Sequence, residues 1–427
     1  MKIIPLSQAL SLVQDNFHIV SALGAAEGQL FLSELHTVAE RVKNITVTSC
    51  LSLRSYPYLE AAYASTFEAE SIFMSPPTRA AQANGNVCYI PSHLHQCGTK
   101  RLMHVKPNIF IGTATPPDRH GYLSLGVSNT YEKRMLAAAD IIILEINPNF
   151  PRTFGDVEIH ASDVHYAIEA DYPVPVLPEA PVTELDEQIG KHIAEYIQDG
   201  DCLQLGIGGI PNAVANALTN KKDLGIHTEM LSAGLVKLVK SGVITNAKKT
   251  KFPGKTVATF ALGTQEVYDY IHDNPGVLLF DANYVNDPTV IAQNDNQVSI
   301  NTTLEIDLTG QCCSESIGPR QYSGTGGQSD TAVGAQKAKN GRSFIALYST
   351  ANIKTPSGER ERVSKIVPML KQGATVSLSR NDVDFVVTEY GVAALRGTGI
   401  KERARRLIAI AHPDYREELT AAVKKMY

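Results

Sequence analysis

Several signals that would announce a function at once are missing from this chain. Its six cysteines (Cys50, Cys88, Cys97, Cys202, Cys312, Cys313) form no Cys-x-x-Cys pair and no zinc spacing, which leaves buried, reduced thiols of a cytoplasmic protein as the expectation. Twelve histidines include His93, His95 and His104, yet no His-Glu-x-x-His is present, so structural or surface roles are expected of them and a metal is not. A Gly-x-Ser-x-Gly elbow is also absent, which removes the serine-hydrolase reading. No apolar run reaches the length of a membrane span. The first residues are interrupted by Pro5, Gln8, Gln14 and Asp15, unlike the apolar core of a signal peptide. A net charge of −5 leaves no basic stripe to neutralise a nucleic-acid backbone. The basic group Lys401, Arg403, Arg405 and Arg406 reads as a solvated helix face.

What is present is an ordinary globular composition, 43% hydrophobic and 19% charged over 427 residues, too long for one typical core. Helical segments are expected at Leu6–Val13, Gly28–Val42, Lys133–Ala138, Leu185–Gln198, Leu235–Val239 and Glu266–His272. Strands are expected at His18–Ala22, Ile45–Thr48, Val105–Gly112, Ile141–Ile146, Leu203–Leu205, Val257–Phe260, Val277–Phe280 and Arg342–Ser349. Alternation of this kind implies mainly parallel sheets covered on both faces. Pro76-Pro77 and Asn84-Gly85 mark turns, and the proline-rich, acidic stretch from Asn147 to Glu184 reads as a connector. The order of signals runs twice: a strand and glycine turn near Gly24 precede Asp140-IIIL-Glu145, and a second pair near Gly206 precedes Asp384-FVVT-Glu389. The expectation is an α/β fold of two similar open lobes, residues 1–184 and 185–427, with the site in a cleft between them.

Leu203 to Met230 carries the sharpest local pattern. A short strand runs into Gly206-Ile207-Gly208-Gly209, a helix follows, and a second strand ends on Glu229. A glycine turn at a helix start turns several backbone N–H groups toward a phosphate or other anion. As a dinucleotide fingerprint it lacks its third glycine, where Pro211 stands, although Glu229 is spaced to grip a ribose. An NAD-binding dehydrogenase and a merely structural turn both stay open on this pattern.

The second stretch is Tyr322–Asp330, YSGTGGQSD, whose bare backbone at Gly324, Gly326 and Gly327 suits an oxyanion or a thioester carbonyl; a surface loop is the plain alternative. Glu315, in SESIG, is a rival carboxylate, and Lys354 stands in the polar loop IKTPSGERER.

Together with VSKIVPML (363–370), TEYGVAALRG (388–397), ERARRLIAIAHPDYREEL (402–419) and PPDRHGYLSLGVS (116–128), the segments GIGGIPNAV, GIHTEM and GTGGQSD resemble the acetyl-CoA hydrolase/transferase family, and within it the 4-hydroxybutyrate CoA-transferases, over essentially the whole chain. The resemblance implies transfer of coenzyme A from an acyl-CoA such as acetyl-CoA or butyryl-CoA to a short carboxylate, with no metal or redox cofactor. It implies Glu229 as nucleophile, with Glu315 ranked second. It implies thioester-carbonyl contacts at Gly326 and Gly327, CoA contacts at Gly206, Ile207, Gly208, Gly209 and Ile210, and a pyrophosphate or adenine-side contact at Lys354. A homo-oligomer is usual in such a family. An acetyl-CoA hydrolase on the same fold and a non-catalytic CoA-binding module are the rival outcomes.

Overall fold

The computed structural model describes residues 1–355 and 358–426. Its first lobe is built on an eight-stranded parallel sheet, in the spatial order Lys2–Ile3, Tyr166–Glu169, Ile141–Ile146, Ile109–Ala114, His18–Ser21, Ile45–Ser49, Phe67–Ser71, Val87–Tyr89. Every residue of Ile109–Ala114 and of His18–Ser21 is buried, as central strands covered on both faces require. The second lobe carries six strands, ordered Gly225–Ile226, Cys202–Leu205, Gln297–Thr302, Arg342–Ala346, Phe385–Thr388, Gly391–Ala394; all pair in parallel except the last, which closes an antiparallel hairpin. The fold is α/β with two lobes of mainly parallel sheet.

In each lobe the chain leaves one central strand to one side and later returns on the other. His18–Ser21 is flanked by Ile45–Ser49 and Ile109–Ala114, and Cys202–Leu205 by Gly225–Ile226 and Gln297–Thr302. The carboxyl end of such a strand opens a crevice. Leu23 follows one of these strands and Gly206 the other, and both border the same cleft. A continuous apolar core beneath it joins Leu23 and Leu144 of the first lobe to Leu205 and Leu231 of the second.

Some local expectations give way. Pro76 and Pro77 open a helix, Pro76–Ala81, because Ser75 and Thr78 form a reciprocal capping box and prolines fit its first turn. The connector is less bare than its prolines suggest: Tyr166–Glu169 inserts into the first sheet, Glu158–His160 pairs with Tyr122–Ser124, and Phe154–Gly155 pairs with Val277–Leu279 of the second lobe. Its longest stretch without helix or strand is 170–183, and 147–153 also lacks both. Cys97–His104 is an unforeseen helix, so the following strand starts at Ile109 rather than Val105. Five cysteines are buried and free, but Cys88 is exposed. Among the described residues no helix is long and apolar enough to cross a membrane.

Candidate active site

Glu229 lies between two short strands, Gly225–Ile226 and Met230–Leu231, and its backbone is pinned there. Its carbonyl accepts from the N–H groups of Thr259 (2.9 Å) and Phe260 (3.2 Å). Gln297 Nε2 donates to the preceding His227 carbonyl at 3.2 Å. The His227 ring meets the Val285 carbonyl at 2.8 Å, and burial holds its pKa down at about 4, so it is a neutral structural histidine.

The Glu229 side chain reaches into an open cleft of about 1030 Å³, the solvent space at its mouth included. Asn286 Nδ2 donates to Oε2 at 3.0 Å, and among the described residues no other side chain donates to this carboxylate. Burial pushes its pKa up to about 7; the Asp330 charge adds to the rise, while Asn286 and the Gly327 backbone oppose it. Near neutral pH the group is divided between acid and carboxylate, a state suited to nucleophilic work.

Gly326 and Gly327 form the opposite wall. Gly326 has φ +53°, and a Cβ there would stand 3.7 Å from Glu229 Oε1. A Cβ on Gly327 would overlap Glu229 Oε2 and Asn286 Nδ2, so the carboxylate sits against bare backbone. Gly327 also caps the ten-residue helix Gln328–Lys337, whose positive end faces the site. The first lobe holds this loop in position: Leu94 N–H donates to Gly326 O at 3.1 Å, Met74 N–H to Ser323 O at 3.3 Å, and Arg79 donates to Tyr322 O at 2.8 Å while stacking on its ring. Asp330, buried one turn along, accepts from His95 Nδ1 (2.8 Å) and His95 N (3.1 Å). The carboxylate thus comes from one lobe, and the loop facing it is clamped by the other.

The glycine turn joins the same cleft. Gly206 and Ile207 line it, and Ile207 through Ile210 also line an adjoining groove of about 770 Å³ that runs past Tyr348 to Lys365. Gly208, at φ +117°, is the N-cap of the helix Gly209–Ala217, a backbone shape that favours glycine. Behind it Gly209 packs on Asp186, where a Cβ would come within 2.7 Å of Oδ2. Lys354 is elsewhere: instead of lying in a loop it ends the exposed strand Thr350–Lys354, hairpin partner of Arg360–Ser364, and lines neither cavity. Pro356 and Ser357 of that polar segment lie outside the described residues.

Glu315 is buried but spoken for. It accepts from Thr325 Oγ1 (2.6 Å), Tyr89 Oη (3.3 Å) and Gln321 Nε2 (3.4 Å), bracing the underside of the glycine loop. Asn286 went unforeseen, and no role in the site was read for His95, expected to be structural or surface, or for Asp330 and Lys365, although they fall in GTGGQSD and VSKIVPML. Each owes its place to packing between segments far apart in the chain.

Residues 1–178 match the acetyl-CoA hydrolase/transferase N-terminal domain and residues 263–423 the C-terminal domain of the same name, leaving the turn and Glu229 in the stretch between. The chain is 41% identical to the 4-hydroxybutyrate coenzyme A transferase of Clostridium kluyveri, over 100% of this chain and 98% of that one. It is 47% identical to the succinyl-CoA:cyclohexane-1-carboxylate CoA transferase of Geobacter metallireducens, over 83% of this chain and 79% of that one. The crystal structure of RipA from Yersinia pestis superposes with a TM-score of 0.93 at 39% identity, covering 100% and 97% of the two chains. The chain belongs to the acetyl-CoA hydrolase/transferase family.

Proposed function

We infer that this protein is a CoA-transferase that moves coenzyme A from an acyl-CoA to a short carboxylate, 4-hydroxybutyrate or butyrate among them, through a covalent intermediate on Glu229. The observation that carries the residue choice is the half-satisfied carboxylate: one oxygen is held by Asn286, and the other faces a cleft walled by the bare backbone of Gly326 and Gly327.

Glu229, as the carboxylate, attacks the thioester carbonyl; the C–S bond breaks, CoA leaves as thiolate, and an acyl-glutamyl anhydride remains. The thiolate attacks the glutamyl carbonyl, releases the first acid as its carboxylate and leaves a glutamyl-CoA thioester. The acceptor carboxylate attacks that thioester, expels the thiolate and forms a second anhydride. Attack of the thiolate on the new acyl carbon completes the transfer and restores Glu229. N–H groups of the Gly326-Gly327 segment stabilise the oxyanion of each tetrahedral stage, about 3 kcal/mol for a well-aimed donor. Exclusion of water protects both intermediates.

The CoA arm is proposed to cross Gly206, Ile207, Gly208, Gly209 and Ile210 into the adjoining groove, with Lys365 along its course and Lys354 toward the adenine end. Remote binding of this kind is available to the reacting centre. A division into lobes 1–184 and 185–427 is part of the same proposal. No step calls for a metal or redox group. Hydrolysis is the alternative outcome on this fold, and an assay of acetyl-CoA with and without acceptor acids separates the two: transfer requires the acid and yields the new acyl-CoA, whereas free CoA released at the same rate without acceptor would contradict it.

A further inference from the structure

We propose that the acid-binding end of the cleft admits only monocarboxylates, because among the described residues the wall that would meet the acid's tail carries no cation and is backed by carboxyl groups. This rests on the CoA-transferase reading and adds to it the charge class of the acid. The glycine turn occupies the second-lobe side of the cleft, where the CoA arm runs, so the tail of the reacting acid points to the first lobe. There the lining is Leu23, Cys50, Leu51, Phe73 and Leu94, with Phe260 adjoining from the second lobe. Among the described residues Glu229 is the only charged one lining the cleft, and the remaining polar lining is neutral: Gln204, Asn301, Gln328 and hydroxyl side chains.

Two arginines lie on first-lobe segments that border this wall, and neither lines it. Arg54 is exposed, with its charge acting on Glu27; Arg79 donates to the Met74 and Tyr322 carbonyls and stacks on the Tyr322 ring. Behind the wall lie two buried carboxyl groups, Glu132 and Glu27, both with pKa values raised by burial, Glu27's to about 8. Glu132 accepts from the Leu23 N–H at 2.8 Å. Glu27, fully buried, takes the Tyr56 hydroxyl at 3.1 Å and leaves Oε1 without a partner. Asp330 adds negative charge on the far side, and Glu229, held as the thioester when the acceptor arrives, offers no cation there either. Leu51 adopts the left-handed backbone at φ +54°, an uncommon conformation for such a residue that functional sites sustain; it sets an apolar side chain at the cleft's edge. A second carboxylate on the acid would be desolvated with nothing to pair with it, which is strongly unfavourable. A methyl or a neutral hydroxyl meets no such penalty.

The test compares acceptors on the full-length protein with acetyl-CoA as donor: butyrate, 4-hydroxybutyrate, succinate and monomethyl succinate, the last matching succinate in shape but carrying one charge. The expected result is kcat/KM for butyrate and 4-hydroxybutyrate at least about a hundredfold above succinate, with monomethyl succinate restored to within about tenfold of butyrate. Succinate within tenfold of butyrate would overturn the proposal, as would equal rejection of succinate and its monomethyl ester, since size and not charge would then decide. Transfer to none of the four acids would instead remove the CoA-transferase reading, and this proposal with it.

Discussion

Two glutamates stand beside one glycine loop, and they differ in how fully they are satisfied. Glu315 is braced by Thr325, Tyr89 and Gln321, and the role this gives it is to shape the loop from beneath. Glu229 has one side-chain donor, a neighbouring acidic charge and a raised pKa of about 7. A carboxylate whose lone pairs are all taken is a poor nucleophile; one held by a single oxygen at the wall of a cleft is a better one. The contrast teaches that sequence context, Ser-Glu-Ser against Thr-Glu-Met, is a weaker guide to the reactive acid than the number of donors it has been given.

The comparison breaks most sharply by exchanging each acid for its amide. Glu229→Gln is expected to lower kcat for CoA transfer by about 10⁴-fold or more, because the covalent route is lost. Glu315→Gln is expected to lower it by about tenfold and to lower the thermal midpoint as well, because its donors lose a charged partner. Steady-state transfer assays with melting curves on both variants check this, and equal kinetic losses would end the distinction between them. The next effect is steric: Gly327→Ala drives a methyl into Glu229 Oε2 and Asn286 Nδ2, with an expected loss of about a hundredfold in kcat at little change in the melting curve.

These contrasts also mark how far the sequence could be read. The alternation of helix and strand, the helix expected at Leu185–Gln198, whose Ile189, Ile193 and Ile197 are buried, and both glycine segments were legible, since each is a local pattern. Tyr166–Glu169 was not, because the prolines flanking it masked a short apolar strand whose place is fixed only by its neighbours in the sheet. Glu229 stood out by its distance from a glycine turn and by family resemblance. Asn286 and Asp330 did not, since Asn286 ends a four-residue helix and Asp330 finds His95 across a separation of 235 residues. A single lysine in a polar run drew notice to Lys354, whereas the groove is lined by Lys365, just past the returning strand Arg360–Ser364.

Smaller effects sharpen the picture. Glu229 acts as the anion, and its pKa is raised, so kcat/KM is expected to climb as pH increases through about 7, with one proton lost. Asn286→Ala removes a hydrogen bond that favours the ionised form, so the midpoint moves to higher pH; Glu315→Gln leaves it in place. A pH profile of each variant decides whether the limb belongs to Glu229. Least of all, Lys365→Ala is expected to raise KM for acyl-CoA about tenfold with kcat retained, and Lys354→Ala about twofold, the order expected of a groove-lining and an exposed charge; the reverse order in KM would relocate the CoA arm.

The most direct measurement is chemical trapping. The protein is incubated with butyryl-CoA in the absence of acceptor acid, quenched with borohydride, digested and sequenced by mass spectrometry. A glutamyl-CoA thioester at the proposed position predicts that the residue reduced to its alcohol is Glu229, and that acetate added before the quench removes the signal. Reduction at Glu315, or no reduced glutamate at all while transfer proceeds at full rate, would contradict the account.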